Sequence, residues 1–290
     1  MERTFPRYGW LGAAIILAAE ILLLRGVRVV GMYFTPIVWT GWILFADALA
    51  RRIAGRSPIA NRRREFLLTI PASIACWYVF EGINLLLQNW SYHGMPENVA
   101  ARWLGYAWSY GTILPAIFVT AALIESLLGD RLRGRRPIDP GPRLRRAFFW
   151  TGLGLFVVTL VFPSRWLAPL PWVSVLLWFE GMNDHLGIGS FSSRLRRGDY
   201  TLVVSLLVSG LVCGLLWEGW NWGAATRWQY HVPYLPNVKL FEMPVLGFLG
   251  FPPFALECWL MYRFARHVTP IGTAADVFGL PWRDGADNAR

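Results

Sequence analysis

The sequence predicts an all-α integral membrane bundle, and three observations predict it. The 290 residues are 55% hydrophobic and only 16% charged, with a mean hydropathy of +0.38, whereas a soluble domain carries about a quarter charged residues. Eight apolar runs approach the roughly 20 residues that a helix needs to cross a hydrocarbon core. The arginines cluster in alternate connections between those runs, the pattern that orients membrane helices. Lipid admits only helices or closed barrels, because backbone groups there have no water to bond; runs of this length are helices. Disorder, collagen-like repeats and coiled coil are excluded by the same composition.

In order, the runs cover 9–24, 29–50, 66–88, 103–128, 147–163, 167–188, 201–224 and 240–262. The first follows Arg3 and Arg7 and resembles a signal peptide. Glu20 interrupts it and no small-residue cleavage site follows, so it is expected to be a retained helix. The first and fifth runs are short for a full crossing. Basic residues fall at Arg3 and Arg7, six in 51–64, seven in 129–146, three in 193–200 and four from Arg263 to the C-terminus, 22 of the 28. Arg25, Arg28, Arg102, Arg165, Arg227 and Lys239 fall on the other side. This places both termini in the cytoplasm of a bacterial inner membrane and accounts for the net charge of +10 without nucleic acid. Cys76, Cys213 and Cys258 all lie in apolar runs, which suits buried thiols rather than a disulfide framework.

An internal repeat is also expected. Cys76-Trp77-Tyr78-Val79-Phe80-Glu81-Gly82-Ile83-Asn84, then Trp90-Ser91-Tyr92-His93, matches Cys213-Gly214-Leu215-Leu216-Trp217-Glu218-Gly219-Trp220-Asn221, then Trp228-Gln229-Tyr230-His231. The shared frame is C-x4-E-G-x-N followed by W-x-Y-H, at a separation of about 137 residues. The expected organisation is a four-helix repeat at 1–128, a basic cytoplasmic linker at 129–146, a second repeat at 147–264 and a short cytoplasmic tail at 265–290. Four helices per repeat return the chain to its starting side, so the halves share one orientation about an axis along the membrane normal, as in one class of transporters.

Ionisable groups in an apolar layer are site candidates by default. Glu81 and Glu218 fall in the outer parts of equivalent helices, and Asn84 and Asn221 follow one turn later on the same face. Both pairs are candidate ligand- or ion-binding groups, with polar contacts between helices as the plainer alternative. His93 and His231, two of the four histidines, occupy matching places and suit a pH-sensitive pair or a general acid/base. Their spacing from the glutamates fits no histidine box, so no metal and no cofactor is expected. Glu180 and Asn183 form a third E-G-x-N, extended by Asp184 and His185. Glu257 lies in the segment Phe241 to Cys258, where Pro244, Pro252 and Pro253 interrupt helical bonding. A kink at Gly111-Thr112-Ile113-Leu114-Pro115 is expected to be its counterpart.

The run W-E-x-W-N, R-W-x-Y and F-E-M-P-x-L-G-F-x-G-F-P-P-F-A-L-E, here Trp217 to Glu257, resembles a family of uncharacterised bacterial multi-pass membrane proteins. The resemblance implies a multi-pass membrane protein and transfers no activity. From the residues, the leading expectation is transport or permeation of a small solute or ion through a duplicated Glu/Asn site. The alternatives are a membrane-embedded enzyme acting on a lipid or isoprenoid, and a structural or assembly role. Membrane lipids are the expected partners. No phosphate loop, dinucleotide fingerprint or zinc spacing is present.

Overall fold

A computed structural model describes residues 4–269. The expected tail beyond 269, with Arg283 and Arg290, and the N-terminal Arg3 lie outside the described residues. The elements are α1 (Arg7–Leu24), α2 (Arg28–Met32), α3 (Phe34–Ala54), α4 (Pro58–Asn61), α5 (Arg63–Leu87), β1 (Trp90–His93), α6 (Val99–Gly111), α7 (Ile113–Leu128) and α8 (Gly141–Val161). Then follow α9 (Leu170–Leu186), α10 (Phe191–Leu195), α11 (Thr201–Gly223), β2 (Arg227–Tyr230), β3 (Lys239–Leu240), β4 (Met243–Pro244) and α12 (Phe251–Val268). The architecture is a helical bundle with two small antiparallel strand pairs, β1 with β2 and β3 with β4.

Among the described residues, six segments are long and apolar enough to cross a membrane: α1, α5, α6 with α7, α8, α11, and Val245–Val268. The outward face of α8 fits the same solvent. α8 buries Gly152 and Thr159 and exposes Trp150, Val157, Val158, Leu160 and Val161. Apolar surface on that scale marks a membrane face. The run expected at 29–50 is divided at Tyr33 into α2 and α3, and the run at 167–188 is the 17-residue α9.

Helices α1 and α3 pack closely, as do α8 and α9, and in each pair glycine permits it. A Cβ on Gly12 would fall 2.5 Å from the Gly41 carbonyl oxygen, and one on Gly152 would fall 2.2 Å from the Trp178 nitrogen. The core between the remaining helices is aromatic: Trp39, Phe80, Phe118, Trp259 and Tyr262 are fully buried. Cys76, Cys213 and Cys258 are free and buried in it.

The break between α6 and α7 shows how a kinked helix stays satisfied in lipid. An unbroken helix would bond the Leu114 N–H to the Tyr110 carbonyl. Instead Ser73 on α5 inserts its hydroxyl between them, donating to the Tyr110 carbonyl at 2.5 Å and accepting from the Leu114 N–H at 3.0 Å. Inserted side chains are a recognised cause of such kinks. A second bend, before α12, is made differently. Pro252 and Pro253 open the helix, where their missing N–H groups leave nothing unsatisfied, and α11 brings Gly210 against its start. A Cβ there would meet the Phe251 carbonyl oxygen at 2.3 Å.

Two sequence expectations change. The run at 240–262 is not one helix: it begins in the β3–β4 hairpin, continues as a 3-10 turn over Val245–Gly250, and becomes α12 at Phe251. Pro244 and the two prolines after Gly250 lack the donors that a continuous helix needs. The basic segment at 129–146 is helical from Gly141 onward, with Arg145 paired to Asp139 at 2.7 Å and to Asp184 at 2.8 Å.

Candidate functional site: an aromatic cavity under a strand ladder

The two W-x-Y-H segments leave the ends of α5 and α11 as extended chain and pair with each other. The register is Trp90 with Tyr230, Ser91 with Gln229, Tyr92 with Trp228 and His93 with Arg227. Side chains alternate across a strand, so Trp90, Tyr92, Trp228 and Tyr230 share one face. All four line a cavity of about 540 Å³. The ladder is the roof of that cavity.

Each strand is anchored by the asparagine of its own motif. Asn84 donates to the Trp90 carbonyl at 2.9 Å and accepts from the Trp90 N–H at 3.1 Å. Asn221 repeats both bonds with Trp228, each at 2.9 Å. These amides close a turn around a backbone and so act as strand anchors.

The glutamates lie one turn earlier on α5 and α11; Glu218 lines the cavity and Glu81 does not. Glu81 Oε1 accepts from Tyr92 at 2.5 Å, Trp77 Nε1 at 2.8 Å and Trp90 Nε1 at 3.2 Å. Glu218 Oε1 accepts from Tyr230 at 2.8 Å and Trp228 Nε1 at 3.4 Å. Burial, followed by neighbouring groups that include each glutamate, pushes both phenols well above their ordinary range. They therefore remain protonated donors across the physiological range.

On the ladder's outer face the two histidines meet. His231 Nε2 lies 2.7 Å from Ser91 Oγ and His93 Nε2 lies 3.0 Å from the same oxygen. One hydroxyl can donate to one ring and accept from the other, so both imidazoles are served in the neutral state. Burial, then Arg165, His93 and Lys239, hold the His231 ring below its ordinary value.

Other sequence candidates lie elsewhere. Glu180 accepts from the Phe191 and Ser192 N–H groups at 2.9 and 2.7 Å, capping α10. Asp47 does the same for the Ile59 N–H at 2.9 Å, beside α4. Asn183 donates to the Leu260 carbonyl at 3.0 Å, tying α9 to α12. Glu257 is fully buried, and neither of its oxygens has a partner among the described residues. Of the candidate residues Glu218 lines the cavity, and Glu81, Asn84, Asn221, His93, His231, Glu180, Asn183 and Glu257 do not. Glu20 accepts from Trp220 Nε1 at 3.0 Å and joins α1 to α11.

The cavity walls are aromatic, with Trp39, Trp77, Tyr110, Trp172, Trp217 and Phe254 beneath the roof. Trp39 and Trp217 contact each other with ring centroids 4.9 Å apart. Four wall residues carry a buried polar atom that has no partner among the described residues: Thr35 Oγ1, Trp39 Nε1, Asn89 Oδ1 and Glu218 Oε2. Their residues are between 0% and 8% exposed. Sequence reasoning found Glu218 and missed the other three, which belong to no motif. It also missed Trp77 and Tyr92 as donors, although the alternating W-x-Y pattern signals a strand with two aromatics on one face.

No protein-family model, curated protein or solved structure matches the chain.

Proposed function

We propose that this protein takes an apolar or amphipathic ligand of the lipid or isoprenoid class from the outer leaflet into the aromatic cavity. The observation that carries the reading is the about 540 Å³ cavity itself, walled by indole, phenol and phenyl faces with a few polar atoms set among them. That composition is typical of sites for drug-sized apolar ligands. In this reading α3 and α9 complete eight crossings, arranged as two parallel four-helix repeats with both termini cytoplasmic. The repeated Asn anchor, the repeated Glu–Tyr–Trp cluster and the paired capping of α4 and α10 support the duplication. The arginine distribution supports the orientation and puts the ladder at the outer surface.

Extraction of the purified protein followed by lipid mass spectrometry tests the proposal. Wild type should retain a defined lipid at near-stoichiometric amount, and Ser109→Trp, which fills the cavity wall, should lose it. Equal lipid profiles in the two preparations would overturn the reading.

A second reading, permeation of a cation along the paired carboxylates, is favoured by Glu81 and Glu218 occupying matching places on α5 and α11. It requires that Glu81→Gln with Glu218→Gln abolish flux into proteoliposomes while lipid retention persists.

A further inference from the structure

The ladder has a second face, turned away from the cavity. Strand alternation places Ser91 and His93 of β1 there, with Arg227 and Gln229 of β2 beside them. His231 continues the same face, because its N–H donates to the Asn89 carbonyl at 2.7 Å and extends the pairing by one step. His93 and His231 are exposed and Ser91 is half-buried, so this face is open to a solute. Both Nε2 atoms converge on Ser91 Oγ, which sets two imidazoles and a hydroxyl around one point.

Cations gather round that point. Arg227 stands opposite His93 in the register. Arg165, in the turn before α9, donates to Gln88 Oε1 at 3.2 Å, close to the start of β1. Burial, then Arg165, His93 and Lys239, hold the His231 ring below its ordinary value, which puts Arg165 and Lys239 within electrostatic reach of it. None of Arg165, Arg227 and Lys239 has an ion-pair partner among the described residues; Glu97 and Glu242, the acids of the adjoining connections, pair with none of them. Basic residues are scarce in the connections on this side, six of the 28, yet half of those six surround the ladder.

Charge decides what such a point takes. Two convergent imidazoles alone suit a transition metal. Three uncompensated cations oppose a divalent ion and favour an anion. An anion in turn favours the charged imidazole, so both rings and the Ser91 hydroxyl become donors toward it. A carboxylate or a phosphodiester brings a single charge to this surplus. A phosphomonoester or a diphosphate brings roughly two or more, with several acceptor oxygens for the guanidinium groups.

We infer that the face of the ladder opposite the cavity binds a phosphomonoester or diphosphate group between His93, His231, Arg165, Arg227 and Lys239. The group belongs either to a lipid head group or to a soluble phosphate, and the two sources share this chemistry. The site goes beyond the cavity reading and does not depend on it, since the two lie on opposite faces of the strands.

Acylation of histidines by diethyl pyrocarbonate, read residue by residue by mass spectrometry on the purified full chain, tests the inference. His185 and His267, both exposed and remote from the ladder in sequence, are internal controls. In one arm the probes are inorganic phosphate and pyrophosphate in detergent, against sodium chloride of equal ionic strength. In the other they are nanodiscs of phosphatidylcholine containing phosphatidic acid or phosphatidylglycerol. His93 and His231 should be labelled at least fivefold more slowly with pyrophosphate or with phosphatidic acid, while His185 and His267 are unchanged. Protection in the first arm alone assigns a soluble phosphate; protection by phosphatidic acid beyond phosphatidylglycerol in the second alone assigns a lipid. Arg165→Gln with Lys239→Gln, two exposed positions, should raise the concentration for half-protection about tenfold, and Arg227→Gln should raise it several-fold, with size-exclusion profiles matching wild type. Absence of protection in both arms, equal protection of all four histidines, or unchanged protection in the charge variants would overturn the inference. Any of these leaves the cavity reading to its own test, lipid retention in Ser109→Trp.

Discussion

Glu81 on α5 and Glu218 on α11 are held in the same frame, each accepting from a strand tryptophan and a strand tyrosine beneath an asparagine-anchored turn. They differ in one donor. Trp77, one turn before Glu81, supplies a third hydrogen bond, whereas the matching position before Glu218 is Gly214. The space a side chain would take at Gly214 is filled by the Phe251 ring, 2.3 Å from an added Cβ. Glu81 is half-buried with a crowded Oε1, while Glu218 is fully buried with Oε2 unpartnered. The contrast teaches that one sequence frame holds its glutamate in two settings: Glu81 is half-buried with three donors on Oε1, and Glu218 is fully buried with two donors on Oε1 and none on Oε2.

The sharpest way to break that comparison is at the helix bends before α7 and α12, which are made by different means. Gly210→Leu forces a side chain into the Phe251 carbonyl and should prevent recovery of a monodisperse protein by size exclusion. Ser73→Ala leaves the Tyr110 carbonyl and the Leu114 N–H without their shared partner. It should lower stability by about 1–3 kcal/mol per group left unpaired, read as a lower unfolding temperature in detergent. A well-behaved Gly210→Leu would show that the second bend tolerates what its geometry forbids.

A smaller effect sharpens the likeness rather than the difference. Asn84→Ala and Asn221→Ala each strand one backbone donor and one acceptor, and each should cost about 1–3 kcal/mol. The two losses should be similar, and hydrogen exchange at 90–93 and 227–230 should rise together in either variant, because each strand is the other's partner. Exchange confined to the mutated half would separate the two anchors.

The smallest expected effect is a pH dependence of the ladder. Because the folded state holds the His231 ring below its ordinary value, that state binds fewer protons than the unfolded chain. Stability therefore declines as pH falls through and below the ordinary imidazole range, and is level above it. His231 is exposed, so solvent screening keeps the effect small. Unfolding temperatures between pH 7.5 and about pH 5 should decline slightly in wild type and less in His231→Gln. A rise on acidification would reverse the assignment.

The membrane character was legible because it is written in composition and run length, which need no tertiary information. So were the Glu and Asn positions, since a repeat separated by about 137 residues betrays them. The ladder was not. Four residues after a membrane helix, rich in Trp and Tyr, have an ordinary interfacial explanation, and pairing across a separation of more than 130 residues leaves no local trace beyond the W-x-Y alternation. Thr35, Trp39 and Asn89 were equally silent, because lone polar atoms on apolar segments acquire meaning only when neighbours leave them unpartnered. The segment at 240–262 was legible as a span, which the structure places at Val245–Val268; the hairpin and tight turn at its start were not, because they depend on pairing of β3 with β4.

The ladder's register has a mechanical consequence. Sliding one strand past the other by a single residue would turn its two rings toward water and bring Ser91 or Gln229 inward. The four rings that face the cavity are therefore fixed by one register of the ladder, and no neighbouring register keeps them all there.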